Sequence, residues 1–272
     1  MSQISRRNLL LAMGATSALA GGAAAPGAPR LHGASSPSAP MDIYAKIRCS
    51  LSDELVPFWY RGHAMVALQD DIPRPILGVE GFSYTRFTRQ TDGAWMSKLI
   101  EAGYFTDLAS GAIVDEAVNV LTGKPIRPQH FLSSVQAFGV NMDGSVSSEH
   151  KLVPPSEFVG RIWAPQRQGT EIWVDEDMLA RLSSDALPPG MREPGPPRTL
   201  TLGSMTTYRS HAADVHNTRL ANAPCTFHLQ ELASIPSWFE MGAVVGKQMW
   251  RLIDIALKPA TTARAAGCRS GC

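Results

Sequence analysis

Three ionisable side chains pose the first chemical question. Glu80, Arg86 and Glu101 lie in two short runs of alternating character, "ILGVEGFSYTRF" (76–87) and "LIEAGYF" (99–105). Side chains along a strand alternate between faces. Ile76, Gly78, Glu80, Phe82, Tyr84 and Arg86 therefore share one face, and Leu99, Glu101, Gly103 and Phe105 share another. An acid, two aromatic rings and a guanidinium in one row suit the half-polar wall of a pocket. A carboxylate among Leu99, Gly103 and Phe105 must be paired, or desolvation raises its pKa. If the two strands pair, Glu80, Arg86 and Glu101 meet on one surface. The chemistry predicted is acid–base catalysis. Glu101 is the general base or acid, Glu80 its partner, Arg86 the stabiliser of an anion or enolate, and Tyr84 or His130 a second proton donor.

Other readings compete. Arg86 with either glutamate also serves as a structural ion pair inside a barrel, and His130 also serves as a rim histidine. His130 opens a run whose same-face companions are Leu132, Ser134, Gln136 and Phe138. Trp59, Phe82, Tyr104, Phe105 and Trp163 are the aromatic side chains expected against a ligand, the other tryptophans belonging to the core. His211 and His216 are five positions apart, which does not align two ligands on one helix face, so no metal site is expected. No G-x-S-x-G elbow, Walker loop or dinucleotide fingerprint is present. That disfavours a covalent serine hydrolase or a nucleotide enzyme, and no cofactor is expected.

A sheet must position these residues. Runs rich in β-branched and aromatic residues recur at 58–66, 76–87, 99–105, 113–118 and 130–140, separated by turn chemistry. Asp92-Gly93 and Asp143-Gly144 are hairpin dipeptides. Asp107-x-x-Ser110-Gly111 returns twelve residues later as Asn119-x-x-Thr122-Gly123. In each, Asp or Asn opens a turn by accepting backbone N–H bonds, and Gly closes it with positive φ. The repeat offers too few carboxylates for calcium and no following helix for phosphate. It reads as the punctuation of a three-stranded ribbon.

Residues 41–51 read as a short helix. "PSEFVGRIWAPQ", "GTEIWVDEDM", "LGSMTTYRS" and "CTFHLQEL" read as further strands, with a short helix at 211–217. Residues 182–199 are a Pro-rich connection, and 246–257 lean helical. The expected fold is mainly β, a single antiparallel barrel-like or strongly curved meander with a few closing helices. Barrels of this size fill their interior or hold one small ligand.

The first residues read as an address. Ser5-Arg6-Arg7 precedes an apolar run from Leu9 to Ala20, too short to span a bilayer. Residues 1–25 are expected to be a twin-arginine signal peptide, 26–40 a disordered Ala/Gly/Pro/Ser tether, 41–258 one β-rich domain and 259–272 a flexible tail. The export machinery is then a partner, and the product is periplasmic or secreted. The chain is 44% hydrophobic with a net charge of +1 and carries no basic stripe for nucleic acid. No membrane span is expected after cleavage. Cys49, Cys225, Cys268 and Cys272 lack zinc-ribbon spacing. Cys49 and Cys225 read as two buried thiols, with a bridge as the alternative.

An ordered set of motifs adds a resemblance. After the leader come Trp59-Tyr60-x-Gly62, Val79-Glu80-Gly81 and Arg86. They are followed by Glu101-x-Gly103-Tyr104-x-x-Asp107, the Asn119-x-x-Thr122-Gly123 turn, His130, and Trp238-x-x-Met241-Gly242. Over residues 42–250 this resembles a bacterial and fungal family catalogued as a domain of unknown function (number eighteen thirty-eight). The chain departs from that pattern at Val120 and near its end. The resemblance implies a β-rich, exported protein and supplies no reaction. From the residues, the function expected is a cofactor-independent lyase, isomerase or hydratase. It would act on a small aromatic or other hydrophobic molecule inside the barrel. The alternatives are a periplasmic carrier of a hydrophobic ligand and a structural or interaction domain.

Overall fold

The structure, a computed structural model, describes residues 37, 39–67, 72–119, 122–133, 135–149, 156–183, 199–233 and 248–258, the last of these as backbone. The predicted leader and tail, most of the tether and of the Pro-rich connection, and the Trp238–Gly242 motif lie outside these residues; Pro40, placed in the tether, begins the first helix.

The described chain opens with helix α1 (Pro40–Arg48). Pro40 starts it, Asp42 lies in its first turn, and Lys46 and Arg48 lie in its last, the order the helix dipole favours. The helix stops at Cys49, shorter than the predicted 41–51. Strands β1 (Leu55–Ala67), β2 (Arg74–Arg89) and β3 (Trp95–Thr106) follow as a long meander. Gly93, at φ 91°, closes the β2–β3 turn. Two short strands, β4 (Ala117–Val118) and β5 (Pro125–Ile126), pair as a separate hairpin. Then come β6 (Phe131–Leu132), β7 (Gln136–Val140), β8 (Ser145–Ser148), β9 (Glu157–Ile162), β10 (Gln166–Gln168) and β11 (Glu171–Ser183). Strand β12 (Thr199–His211), helix α2 (Ala212–Val215), β13 (Cys225–Ala233) and β14 (Gln248–Lys258) complete it.

The pairing path runs β11-β12-β13-β14-β1-β2-β3-β7-β8-β9 and returns to β11 through β9. At one end this makes a closed ring of antiparallel strands. At the other it stays a half-barrel, where the edge of β3 away from β2 meets the two residues of β6 and an isolated bridge from Thr106 to Ile113 among the described residues. The seam is narrow, with two residue pairs joining β8 to β9. Helix α1 fills the closed end. Met41, Tyr44, Ala45 and Ile47 pack there with Phe58, Phe87, Trp95, Val140, Ile162, Val174 and Tyr208. A second cluster occupies the open end. Tyr60, Val66, Leu77, Val79 and Phe105 meet Ile126, with Val114 and Ala117 of the 107–128 segment packed against them.

The repeated turns behave as the sequence predicts. Gly111 and Gly123 have φ of 67° and 69°. Each donates its N–H to the carbonyl four residues back, at Asp107 and Asn119. The Asp107 carboxylate also accepts from Ala109 and Ser110. Two strand expectations and one helix expectation need correction. Residues 113–118 supply only an isolated bridge at Ile113 and the two residues of β4. The 130–140 run is two strands, β6 and β7, whose registers against β3 differ by one residue. Residues 246–257, expected to be helical, contain β14, whose backbone pairs with β1 on one side and β13 on the other. Two pairing edges outweigh the local periodicity there.

Candidate functional site

Burial alternates along β1, β2 and β11, so each strand has a core face and an outer face. Val56, Phe58, Tyr60, Leu77, Val79, Ser83, Thr85 and Phe87 are buried on the core face. Residues directly opposite in a ladder share a face. Glu101 is opposite Ser83 and therefore faces the core side, as does Phe105, opposite Val79. Glu80 is opposite Tyr104 and Arg61, and Arg86 is opposite Lys98 and Leu55. Both lie on the outer face, with Tyr84 and with Phe82, which is opposite Trp59.

The predicted constellation is therefore not brought together. Glu80 and Arg86 share a face, but six residues of strand separate them by roughly 20 Å. Glu101 is on the other side of the sheet from both. The registers are compatible with pairing, but the parity is opposite. On the outer face the Trp59 indole N–H donates to Glu80 Oε1 at 3.1 Å. Tyr104 is buried there. Trp163 sits on a different outer face and donates Nε1–H to Asp177 Oδ2 at 2.7 Å. It remains 48% exposed, in an open cleft with Gln166, Asp175 and Met205.

His130 lies at the open end. Its Nδ1 accepts the Phe105 N–H at 3.1 Å, and its ring stacks on Phe105. Its Nε2 is buried with no hydrogen-bond partner among the described residues, 4.0 Å from Asp115 Oδ1. Burial holds the imidazole pKa below its ordinary value, and the Asp115 carboxylate partly offsets this.

The closed end holds a polar group that the sequence reading missed. Tyr44 and Arg48 are four apart on α1 and so project from one helix face. Ile172, Val174, Glu176 and Met178 alternate inward on β11, with Glu176 opposite Thr206 and Val174 opposite Tyr208. The Tyr44 hydroxyl donates to Glu176 Oε2 through a short hydrogen bond. The Tyr208 hydroxyl approaches the same oxygen at 3.5 Å. Arg48 Nη1 donates to Thr85 Oγ1 at 3.2 Å. Its guanidinium lies over Phe58 and Tyr208, 4.9 and 5.4 Å from the ring centroids.

Electrostatics follow from that packing. Burial, then the nearby Glu176 charge, raises the Tyr44 pKa well above its ordinary value. Burial likewise raises Tyr208, against the pull of Arg48. Both phenols stay protonated at neutral pH. Burial alone would lower the Arg48 pKa, but Tyr208, Glu176 and Tyr44 reverse this and raise it. Glu176 is 6% exposed, whereas Arg48 is only half-buried. Below the cluster the inward side chains are half-buried too, among them Phe138, Phe158, Met178, Ser204 and Glu101. Phe138 and Phe158 stack with centroids 5.2 Å apart. Phe138, Phe158 and Met178 pack against the core cluster that holds Tyr44 and Tyr208. The signal was present in the sequence. Glu176 stands among apolar parity mates, the same criterion that selected Glu101.

Cys49 and Cys225 are both buried thiols, and no disulfide joins them. Among the described residues, no group of three or more His, Cys, Asp or Glu is placed to hold a metal, and no helix is long and apolar enough to cross a membrane. Comparison with protein-family models and with curated proteins finds no match.

Proposed function

We propose that the barrel is a cofactor-independent enzyme of the lyase, isomerase or hydratase type, acting on a small hydrophobic or aromatic molecule. The molecule lies against the half-buried inner wall, with its polar end at Arg48 and Glu176. One observation carries this reading. A guanidinium and a carboxylate sit inside an apolar barrel without an ion pair between them among the described residues, each held by neutral groups. Burying the Glu176 carboxylate costs several kcal/mol, and the half-buried Arg48 guanidinium adds part of that again. A carrier of a purely apolar ligand gains nothing from that cost, whereas acid–base catalysis needs both charges. Phe138 and Phe158 supply the apolar contact area. The paired arginines at Arg6-Arg7 support export, with the enzyme working in the periplasm or outside the cell.

The test pairs binding with turnover. The purified protein is incubated with the small-molecule extract of its producing cells, and the mixture is followed by mass spectrometry. The expected result is depletion of a compound and appearance of an isomer, or of products that conserve its atoms. Glu176→Gln should bind the compound and leave it unchanged. Binding without conversion by the native protein would make it a carrier.

A further inference from the structure

We propose that the substrate is a carbonyl compound with an acidic C–H beside the carbonyl, that Glu176 removes this proton, and that Arg48 receives the developing enolate oxygen; this rests on the interior acid–base reading above. The two oxygens of Glu176 are used unequally. Both tyrosine hydroxyls address Oε2. Oε1 accepts no hydrogen bond among the described residues, which leaves one oxygen oriented and uncommitted. Arg48 is similarly half-used. A guanidinium has several N–H donors, and here only the bond to Thr85 is made among the described residues. The Tyr208 ring links the two charges, with the guanidinium 5.4 Å from its centroid and the carboxylate oxygen 3.5 Å from its hydroxyl.

The step balances without an added reactant. The C–H bond breaks and its proton forms an O–H bond to Glu176 Oε1. The C–H electron pair becomes the C=C bond, and the carbonyl π pair moves onto oxygen beside Arg48. The negative charge passes from the carboxylate to the enolate, so the net charge of the buried cluster is unchanged. Little dipole reorganisation is then needed, which is what a preorganised site supplies. Return of the proton to the same or a conjugated carbon isomerises the substrate, and loss of a β-substituent makes the site a lyase. Tyr44 and Tyr208 keep their protons, so they orient the base and do not compete with it.

Two readouts on the full chain test this. Binding is followed with the neutral fluorophore N-phenyl-1-naphthylamine and its displacement by phenylacetone, 2-tetralone and benzoylacetone. Proton abstraction is followed by proton NMR as loss of the α-hydrogen signal of each ketone in D2O. We expect exchange on the order of 10²-fold above buffer for at least one ketone that displaces the dye. Glu176→Gln should return the rate to that of buffer with dye binding retained. Arg48→Lys, which keeps the charge but loses the planar fork of donors, should slow exchange at least about tenfold. Dye displacement without exchange for every displacing ketone overturns the enolate step and leaves a ligand-binding barrel. Failure of dye and ketones to bind overturns both readings. Full exchange in either variant also overturns the assignment.

Discussion

Tyr44 and Glu176 stand 132 positions apart in the chain, and the hydroxyl of one donates to the carboxylate of the other inside the barrel. The bond fixes the helix plug to the wall opposite the β1–β2 hairpin. Tyr44→Phe keeps the ring contacts with Phe87 and Tyr208. It removes one hydrogen bond to a charged group, worth about 1.5–3 kcal/mol. Urea denaturation should show a loss of that size, and a double-mutant cycle with Glu176→Gln should show coupling. Additive losses would mean that the two residues act independently.

Two glycines separate crowding from backbone strain. A Cβ on Gly81 would lie 2.3 Å from the Tyr60 hydroxyl and 2.5 Å from the Ala102 carbonyl oxygen. Gly81→Ala should therefore destabilise by about 1–3 kcal/mol or more through overpacking. A Cβ on Gly123 meets nothing within 4 Å, but its φ is 69°. Gly123→Ala should cost about 1–2 kcal/mol, and Gly123→Asn should recover part of it. Thermal melts of the three variants check this. Equal losses for the alanine and asparagine variants at 123 would remove the backbone explanation.

Acid should loosen the open end. The folded His130 pKa lies below its unfolded value because burial penalises the imidazolium, despite the Asp115 carboxylate nearby. Between the folded pKa and the unfolded value of about 6.5, the unfolded chain binds more protons. Stability is therefore complete above the unfolded value and falls as pH drops below it. Protonation of Nδ1 also ends its acceptance of the Phe105 N–H. His130→Asn, which keeps an acceptor near that position, should show a flatter melting temperature between pH 7 and 5. An unchanged slope would remove His130 as the cause.

The faces of the first sheet predict unequal effects for two glutamates. Glu101→Gln lies on the inner wall and should alter dye affinity several-fold. Glu80→Gln lies outside, bonded to Trp59, and should leave it unchanged. Fluorescence titration compares them directly. The reverse ranking would place the ligand on the outer face.

The meander was legible because its punctuation is local. Asp92-Gly93, Asp143-Gly144 and the repeated five-residue turns each encode a reversal in a few residues, and Gly93, Gly144, Gly111 and Gly123 all take positive φ. The pairing of opposite faces was not legible. Parity shows that Glu80 and Arg86 share a face, and that Glu101 shares one with Phe105. It does not show whether Ser83 or Phe82 will face Glu101, a choice made by the β2–β3 register. The cluster at Tyr44, Arg48, Glu176 and Tyr208 was harder still. It joins a helix near the start of the domain to two strands far along it, and no local spacing records that meeting. Strand β14 misled for a related reason, since its conformation is imposed by β1 and β13.

Strand β14 has a further consequence for how the molecule is made. It joins β13 to β1, with Leu257 against both Thr226 and Trp59. A nascent chain halted before residue 248 would carry two long bare edges, on β1 and on β13, each able to recruit a foreign strand. The ring can be sealed only after nearly the whole domain has left the ribosome. Its slowest contacts are also its most separated in sequence. Truncation within β14 should therefore yield aggregates in place of a smaller folded barrel.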